Sequence, residues 1–221
     1  MVHWDDIQNV LLDMDGTLLD LHFDNHFWQE HLPARYAEKH GIGLTEAKSS
    51  IFPRFKKVEG TMQWYCLDYW SDELEMDIIA LKSEVSHLIA IHPHVIDFLR
   101  TMRRTGKHIA LVTNAHQSSL ALKIKHTSIG EYLDAVISSH DIGLPKEEPE
   151  FWLKLQQKLP FEPSSALLID DNVAVLQSAQ TFGISHLLAV KKPDSQRPAI
   201  DNGTFPAIQS FLDIMPLPAA S

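Results

Sequence analysis

Two pairs of acidic residues in this 221-residue chain follow short apolar runs, Asp13 with Asp15 and Asp170 with Asp171. Carboxylates can bind a divalent cation, attack an electrophilic atom or transfer a proton. Acidic pairs also occur at ordinary turns and helix starts, where they favour the helix dipole. What these two pairs do therefore depends on the elements that hold them.

Five apolar runs predict strands that are buried on both faces of a sheet. They are Val10–Leu12, Ile109–Val112, Ala135–Ile137, Ala166–Ile169 and Leu187–Val190. Between the later runs, apolar residues recur with the helical period. One predicted helix ends at Gly106, one begins at Pro149, and one lies between a capping Asn172 and Gly183. This alternation predicts an α/β fold, with a Rossmann-like parallel sheet and right-handed crossovers.

Residues 20–91 interrupt the alternation, because they show helical patterning and no convincing strand. We expect four helices there, with breaks near Gly41–Gly43, Pro53 and Gly60. The stretch is too long for a loop or a simple crossover. It predicts an all-helical cap domain (20–91), inserted after the first strand into a discontinuous core formed by residues 1–19 and 92–221. The proline-rich end of the chain is predicted to wrap the surface, with a short helix near Phe205–Leu212.

Polar groups also follow the second and third predicted strands, namely Thr113, Asn114 and Lys146. Ligands of an open parallel sheet bind beyond the carboxyl ends of its strands, so all these groups should share one edge. Two carboxylates about 4 Å apart repel by roughly 4 kcal/mol at an effective dielectric constant near 20. The cluster therefore needs a cation. All-oxygen ligands favour a hard ion such as Mg²⁺, which also accepts a phosphate oxygen.

Composition restricts the partners. Lys and Arg number 19 against 29 Asp and Glu, a net charge of −10, which argues against a nucleic-acid or anionic-membrane surface. No apolar run approaches a membrane span, and the first nine residues lack the features of a signal peptide. The single cysteine, Cys66, suits a reducing compartment. We therefore expect a cytoplasmic protein, monomeric or homodimeric, with a small-molecule ligand.

The strand-end residues carry a resemblance to a known family. The run from Leu11 to Thr17, with Thr113, Lys146 and the Asp170-Asp171 pair, resembles the four motifs of haloacid-dehalogenase-superfamily phosphatases. The likeness spans about residues 9–190. The helical insertion falls where that superfamily places a mobile cap.

The resemblance implies a mechanism for phosphate-ester hydrolysis. Asp13 would attack phosphorus to form an aspartyl-phosphate, and Asp15 would act as general acid and then general base. Mg²⁺ would bind the Asp13 carboxylate, the Asp15 backbone carbonyl and Asp171, with Asp170 acting through water. The phosphoryl oxygens would be held by Thr113, the Asn114 backbone N–H and Lys146, beside a substrate-binding turn at Gly16 and Thr17.

A closer resemblance concerns the substrate. Four segments together resemble a bacterial subfamily of purine mononucleotidases acting on GMP and IMP: Phe23–Trp28, Trp64–Ser71, Thr113–His116 and Lys125–Thr127. It implies a Mg²⁺-dependent 5′-nucleotidase. On a continuous helix Trp64 and Trp70 would point about 120° apart, so one aromatic ring of this segment is predicted to face the site or a partner, where it could stack on a base.

Three alternatives remain open. A phosphatase for a sugar phosphate or another small phosphoester would share every core residue. A haloacid dehalogenase typically lacks the second aspartate and the metal, so Asp15 argues against it. A phospholigand-binding module without turnover usually lacks a core residue, and none is missing here. Among the 13 histidines, His92 and His94 come nearest to a ligand pattern, but without a supporting Cys or carboxylate cluster we interpret them as surface or capping residues.

Overall fold

The computed structural model describes residues 2–216 and contains one six-stranded parallel sheet, in the order β3-β2-β1-β4-β5-β6. The strands are β1 (Asn9–Leu12), β2 (His108–Thr113), β3 (Ala135–Ser138), β4 (Ala166–Asp170), β5 (His186–Val190) and β6 (Ala207–Ile208). The predicted parallel α/β sheet is confirmed, and each of the five predicted apolar runs forms a strand.

The apolar runs are continuous because both faces of the sheet are covered. Val10 and Leu12 pack into one buried cluster, while Leu11 between them packs into another on the opposite face. The helices that cover the sheet are α7 (Val95–Arg104), α8 (Gln117–His126), α9 (Ser139–Ile142), α10 (Pro149–Lys158) and α11 (Val173–Phe182). As predicted, Asn172 caps α11 through its side chain, and Gly183 ends it in the left-handed conformation.

The prediction of a short helix near Phe205–Leu212 is wrong. Ala207 and Ile208 instead form β6, which extends the sheet by pairing with Ala189 and Val190 of β5. A two-residue strand has no periodicity from which it could be recognised. A single 3₁₀ turn (Phe211–Ile214) follows, and its last carbonyl accepts a hydrogen bond from the Trp4 indole at 2.7 Å.

Residues 20–91, here called the helical segment, contain more helices than the predicted four. They are α1 (His22–His26), α2 (Leu32–His40), α3 (Leu44–Val58), α4 (Met62–Tyr65), α5 (Leu67–Leu74) and α6 (Ile78–Glu84), with a π-helical turn (Phe27–His31) joining the first two. The segment packs around a buried apolar cluster of its own, which includes Phe27, Ile51 and Trp70. No helix within residues 2–216 is long and apolar enough to cross a membrane.

Two expectations about breaks in the helical segment are wrong. Pro53 lies inside α3, because the buried face formed by Ala47, Ile51 and Phe55 continues past it and offsets the lost hydrogen bond. Residues 64–70 are not one helix, since Cys66 adopts an extended conformation with φ −86° and ψ 112° between α4 and α5. The angles expected from a continuous helix therefore do not apply to Trp64 and Trp70.

Candidate active site

The carboxyl ends of the central strands border a cavity of about 650 Å³. In-register pairing of Leu12 with Leu111 and Ile169 brings the residues that follow β1, β2 and β4 to the same edge. The structure thereby gathers most of the predicted site residues around the cavity: Asp13, Asp15, Thr113, Asn114, Lys146, Asp170 and Asp171. The remaining walls come from the helical segment and, on the core side, from residues at α8 and α11 such as His116, Lys123 and Val175.

Lys146 is the cation at the centre of this edge. Its buried Nζ lies 2.5 Å from Asp13 Oδ1 and 2.7 Å from Asp170 Oδ2, and donates to the Val112 carbonyl at 3.1 Å. Burial disfavours the charged amine, but Asp13 and Asp170 outweigh this and raise the pKa of Lys146. The side chain is therefore an ammonium that holds two carboxylates from different strands.

Three carboxylates converge beside this ammonium. Oxygen atoms of Asp13, Asp170 and Asp171 lie within 4.8 Å of one another. Burial first, and then the charges of Asp13 and Asp170, raise the pKa of Asp171 well above its usual range. Lys146 contacts only two of the three, so the cluster is short of positive charge. An all-oxygen set of this kind fits a hard divalent cation.

Asp15 does not join the carboxylate cluster. Its Oδ1 lies 2.6 Å from Nζ of Lys123, a buried lysine on α8. Burial raises the pKa of Asp15 to about 6, and Asp24 and Asp13 add to this effect while Lys123 opposes it. Burial likewise raises the pKa of Asp13 to about 6, with Lys146 opposing. The two first-motif aspartates thus face different lysines.

Lys123 also binds the helical segment through Asp24, whose Oδ2 lies 2.6 Å from its Nζ. The other oxygen of Asp24 lies 2.7 Å from Nζ of Lys82, a fully buried lysine of α6 that also lies over the Phe27 ring. Although burial opposes it, the two lysines lower the pKa of Asp24 to about 2. A buried chain of alternating charges therefore runs from Asp15 into the helical segment.

A second bridge between the two parts of the molecule is centred on Glu147. Tyr65 of the helical segment donates to its Oε1 at 2.5 Å, while Asn114 donates to Oε2 at 2.9 Å and Asn172 to Oε1 at 3.2 Å. Burial, together with Glu147, raises the pKa of Tyr65, so the phenol keeps its proton. The Asn114 oxygen meanwhile accepts from the backbone N–H of Lys146 at 2.9 Å.

Gly16 and Thr17, the other two predicted site residues, are not among the described residues that border the cavity. Gly16 has φ +86°, and a Cβ added there would lie 2.5 Å from Asp171 Oδ2, so this glycine allows Asp171 to approach the first-motif turn. Thr17 is fully buried, and its hydroxyl has no hydrogen-bond partner among residues 2–216. It borders a separate, smaller cavity with His92 and His94.

The cavity wall contributed by the helical segment is aromatic. It includes Trp28, Phe52, Phe55, Trp64 and Tyr65. Trp70 is fully buried and packs edge-on against Phe55 and Trp64, with ring centroids 4.9 and 6.3 Å away. Trp70 therefore supports this wall, while the partly exposed Trp64 and Tyr65 present their rings to the cavity.

Comparison with known proteins assigns the family. Residues 7–183 match the haloacid dehalogenase-like hydrolase family. The GMP/IMP nucleotidase YrfG of Escherichia coli K12 is 38% identical over 215 residues, 97% of each chain. This chain belongs to the haloacid dehalogenase-like hydrolase family. It is accordingly an enzyme.

Relatives at lower identity are also found among known proteins and solved structures. A phosphorylated carbohydrates phosphatase from Thermotoga maritima is 22% identical over 197 residues, 83% of this chain and 85% of its own. The crystal structure of a phosphatase of this family from Thermococcus onnurineus superposes with a TM-score of 0.78 at 22% identity, covering 94% of this chain and 96% of that one. The fold of this chain is thus shared with that phosphatase over nearly the whole length of both chains.

The sequence does not single out Lys82, Lys123 or Glu147 as site residues. A signal exists for Lys82, which lies on the buried face of α6 with Ile78 and Leu81, where a lysine needs a charged partner. Lys123 similarly follows Leu120 on the buried face of α8. Glu147 adjoins Lys146, and its position indicates only an acid that favours the start of α10, because nothing local points to its three hydrogen-bond donors.

Proposed function

We propose that this hydrolase is a Mg²⁺-dependent phosphomonoesterase whose substrates are purine nucleoside monophosphates. The observation that carries this proposal is the cavity, which has carboxylates and a buried ammonium at one end and an aromatic wall at the other. A phosphate would lie among the charged groups and a flat base against the rings.

We infer that Asp13 is the nucleophile. Its buried carboxylate follows β1, and its Oδ1 is held by Lys146 at 2.5 Å, which fixes its direction. Attack on phosphorus would form an aspartyl-phosphate and release the alcohol. Thr113 would donate its hydroxyl to a phosphoryl oxygen, since its Oγ1 accepts from the Ala115 N–H and keeps its own hydrogen free. Lys146 would stabilise the charge on the other oxygens.

Asp15 would supply the proton for the leaving oxygen and later remove one from water. The first step needs the neutral acid, and a pKa raised to about 6 keeps a usable protonated fraction near neutrality, which an aspartate at its ordinary pKa of 3.8 would lack. Lys123 would hold the carboxyl in place through Oδ1. This arrangement separates the two roles, because the nucleophile contacts one lysine and the acid contacts the other.

The carboxylate cluster fits the Mg²⁺ that this family uses. Asp13 and Asp171 would hold the ion, with Asp170 acting through water and the Asp15 backbone carbonyl completing the set. When bound, Mg²⁺ would neutralise the phosphate and polarise its P–O bonds. Lys146 reaches only part of the cluster, which leaves Asp171 available to the ion.

The division into a core (1–19 and 92–221) and a helical cap (20–91) is part of the proposal. It is supported by the separate apolar cluster of the helical segment and by its polar links to the core, Asp24 with Lys123 and Tyr65 with Glu147. The cap would choose the substrate through its aromatic wall. The nucleotide preference is supported by the relative from Escherichia coli, named as a GMP/IMP nucleotidase.

The test is a phosphate-release screen with Mg²⁺ across nucleoside monophosphates and sugar phosphates, with Asp13→Asn as the blank. We expect GMP and IMP to be hydrolysed with a kcat/KM at least tenfold above AMP, pyrimidine nucleotides and sugar phosphates. Equal rates on sugar phosphates would retain the mechanism and reject the nucleotide. Release that persists in Asp13→Asn would reject the mechanism.

A sugar-phosphate phosphatase is the second candidate, because the relative from Thermotoga maritima is named as acting on phosphorylated carbohydrates. The aromatic wall favours a nucleotide, because its rings offer flat faces on which a base can stack. The single cysteine supports a cytoplasmic location for either activity. The same screen separates the two candidates.

A further inference from the structure

Three side chains that can bind a soft metal ion converge away from the carboxylate cluster. One ligand atom each of Cys66, His116 and His140 lies within 4.8 Å of the other two. Cys66 stands between α4 and α5 in the helical segment, His116 precedes α8, and His140 is in α9. The three ligands therefore come from both sides of the junction between the helical segment and the α/β core.

His140 has a ring nitrogen that is free to bind. Its Nε2 is buried without a hydrogen-bond partner among residues 2–216, which is costly for a polar atom. Its Nδ1 lies 3.4 Å from the Ser138 hydroxyl oxygen, whose own hydrogen is donated to the Ala115 carbonyl at 2.7 Å. Nδ1–H therefore donates to Ser138, and the lone pair resides on Nε2, the tautomer that binds metals.

His116 packs edge-on against His140, with ring centroids 4.8 Å apart and an interplanar angle of 88°. Its Nδ1 accepts a long hydrogen bond of 3.3 Å from the Ser118 N–H, and its Nε2 lies 3.5 Å from Asp68 Oδ2. Binding of a metal through Nε2 would move the ring proton to Nδ1. The only hydrogen bond lost by this change would be the long one from the Ser118 N–H, which caps α8. The exposed Asp68 carboxylate is placed to act as a fourth ligand or to face a metal-bound water.

A thiolate with two imidazoles selects a particular class of ion. Sulfur and nitrogen ligands in a tetrahedral arrangement are typical of Zn²⁺, whereas Mg²⁺ requires oxygen. Ligand atoms around tetrahedral Zn²⁺ lie about 3.5 Å apart, given metal–ligand distances of about 2.0 to 2.3 Å. A contraction of about 1 Å, within reach of side-chain rotation, would bring these three atoms into range. The donor chemistry thus separates this site from the carboxylate cluster.

We propose that Cys66, His116 and His140 bind Zn²⁺, and that the ion fastens the helical segment to the α/β core beside the cavity. His116 borders the cavity, and so do Tyr65 and Leu67, the neighbours of Cys66 in the chain. Zinc would hold that wall against the core and slow the exchange of substrate and product. The binding site stands independently of the proposed function, while the slowing of turnover rests on it.

The first test uses Co²⁺ as a spectroscopic probe of the metal-free protein, in the presence of excess Mg²⁺. Because the chain has a single cysteine, a thiolate-to-Co²⁺ charge-transfer band can come only from Cys66. We expect one equivalent of Co²⁺ to produce this band and Zn²⁺ to abolish it. The absence of the band would overturn the proposal without any variant being made.

The second test compares variants by competition for Zn²⁺ with a chromophoric chelator. Removing a residue that only hydrogen-bonds to a metal ligand weakens metal binding by about 10- to 100-fold. Cys66 and His140 are proposed as direct ligands, so we expect Cys66→Ala and His140→Gln to weaken Zn²⁺ binding by at least about 100-fold. The matched control is His87→Gln, which removes an exposed histidine of the helical segment and should bind as the native chain does. Unchanged affinity in a folded Cys66→Ala, checked by circular dichroism, would contradict the site.

The third test measures turnover with Mg²⁺ in excess. Zn²⁺ should slow the native enzyme, a chelator should restore it, and Cys66→Ala should be insensitive. Inhibition that persists in Cys66→Ala would place the inhibitory ion at the carboxylate cluster and reject the fastening role. If no phosphoester is hydrolysed at all, the proposed function fails, and the Co²⁺ spectrum still decides the zinc site.

Discussion

Nζ of Lys123 lies 2.6 Å from Oδ1 of Asp15 and equally close to Oδ2 of Asp24, so one buried ammonium joins the candidate general acid to the helical segment. A cation at this distance favours the ionised form of Asp15, which opposes the effect of burial. The acid strength of Asp15 is thus coupled to a contact between the two parts of the chain.

Lys123→Met should change the pH dependence of catalysis. A basic limb of kcat/KM is expected where Asp15 loses its proton, and its pKa is raised to about 6 before any metal binds. Removing the cation raises the pKa of Asp15, so the limb should move to higher pH. We also expect kcat to fall by about tenfold, short of the roughly 10²- to 10⁴-fold that loss of general acid catalysis costs. The pH–rate profile checks this.

Lys125→Met is the control for that variant, since Lys125 is on the same helix and its side chain makes no ion pair among residues 2–216. Lys125→Met should leave the basic limb of kcat/KM at the same pH as in the native enzyme. A basic limb that stays fixed in Lys123→Met would show that Asp15 is not the group whose deprotonation limits turnover.

Asp24→Asn should destabilise the fold, because it leaves Lys82 and Lys123 without the carboxylate they share. Breaking a buried ion pair by removing one partner costs about 3 to 5 kcal/mol in the free energy of unfolding. The pKa of Asp24 is lowered from 3.8 to about 2 in the folded state. Its stabilisation is therefore fully present above pH 3.8 and is lost as the pH falls towards 2.

Urea unfolding of the native and Asp24→Asn proteins at several pH values measures this effect. The difference between them should be constant from pH 7 to about 5 and shrink below 3.8. Asp97→Asn is a suitable control, since its pair with Arg100 is exposed and should contribute little. A difference that is independent of pH down to 2 would contradict the assigned pKa.

Gly16→Ala should disable the carboxylate cluster. The added Cβ would lie 2.5 Å from Asp171 Oδ2, and the residue would also be forced to keep φ +86°. Displacement of Asp171 should weaken the binding of Mg²⁺. The Mg²⁺ concentration that gives half-maximal turnover should therefore rise at least tenfold. Gly106→Ala isolates the backbone effect, because Gly106 has φ +72° and a Cβ added there would meet no heavy atom within 4 Å. It should lower Tm without changing the Mg²⁺ requirement.

Trp64→Leu should weaken recognition of a base without affecting the phosphate end. Stacking of a base on an aromatic ring contributes about 1 to 3 kcal/mol, so kcat/KM for GMP should fall about 5- to 150-fold. The rate on glycerol phosphate, which has no base, should change by less than twofold. Equal losses on both substrates would indicate that Trp64 acts only through packing against Phe55 and Trp70.

The sequence predicts the strand-end residues of the site well, because parallel strands bring their carboxyl ends together whatever the loops do. Asp13, Thr113 and Asp170 can therefore be placed at one edge from apolar runs alone. Lys123 cannot be assigned to Asp15 in this way, since it lies on a helix 108 residues away and only packing decides which carboxylate it meets. Thr17 is predicted as a site residue because it belongs to the first motif, but its side chain does not reach the cavity.

The cysteine–histidine cluster escapes sequence reasoning for a related reason. His92 and His94 are close in the sequence, yet the histidines that converge are His116 and His140, with Cys66 from the helical segment. No local spacing signals a cluster built from three separate elements. The interruption at Cys66 is equally hidden, because residues 64–70 contain no glycine or proline that would mark a break.

Lys146 and Glu147 are adjacent in the chain, yet one contacts the core and the other contacts the helical segment. Lys146 contacts Asp13, the proposed nucleophile, while Glu147 accepts a hydrogen bond from the Tyr65 phenol across the cavity. A lifting of the helical segment would break the Tyr65 bond and leave Glu147 to Asn114 and Asn172 alone. The position of the helical segment would then reach the Lys146 ammonium through the peptide bond between Lys146 and Glu147 and through Asn114, which contacts both residues. Solvent access to the cavity and the placement of the proposed nucleophile would thus depend on the same contacts.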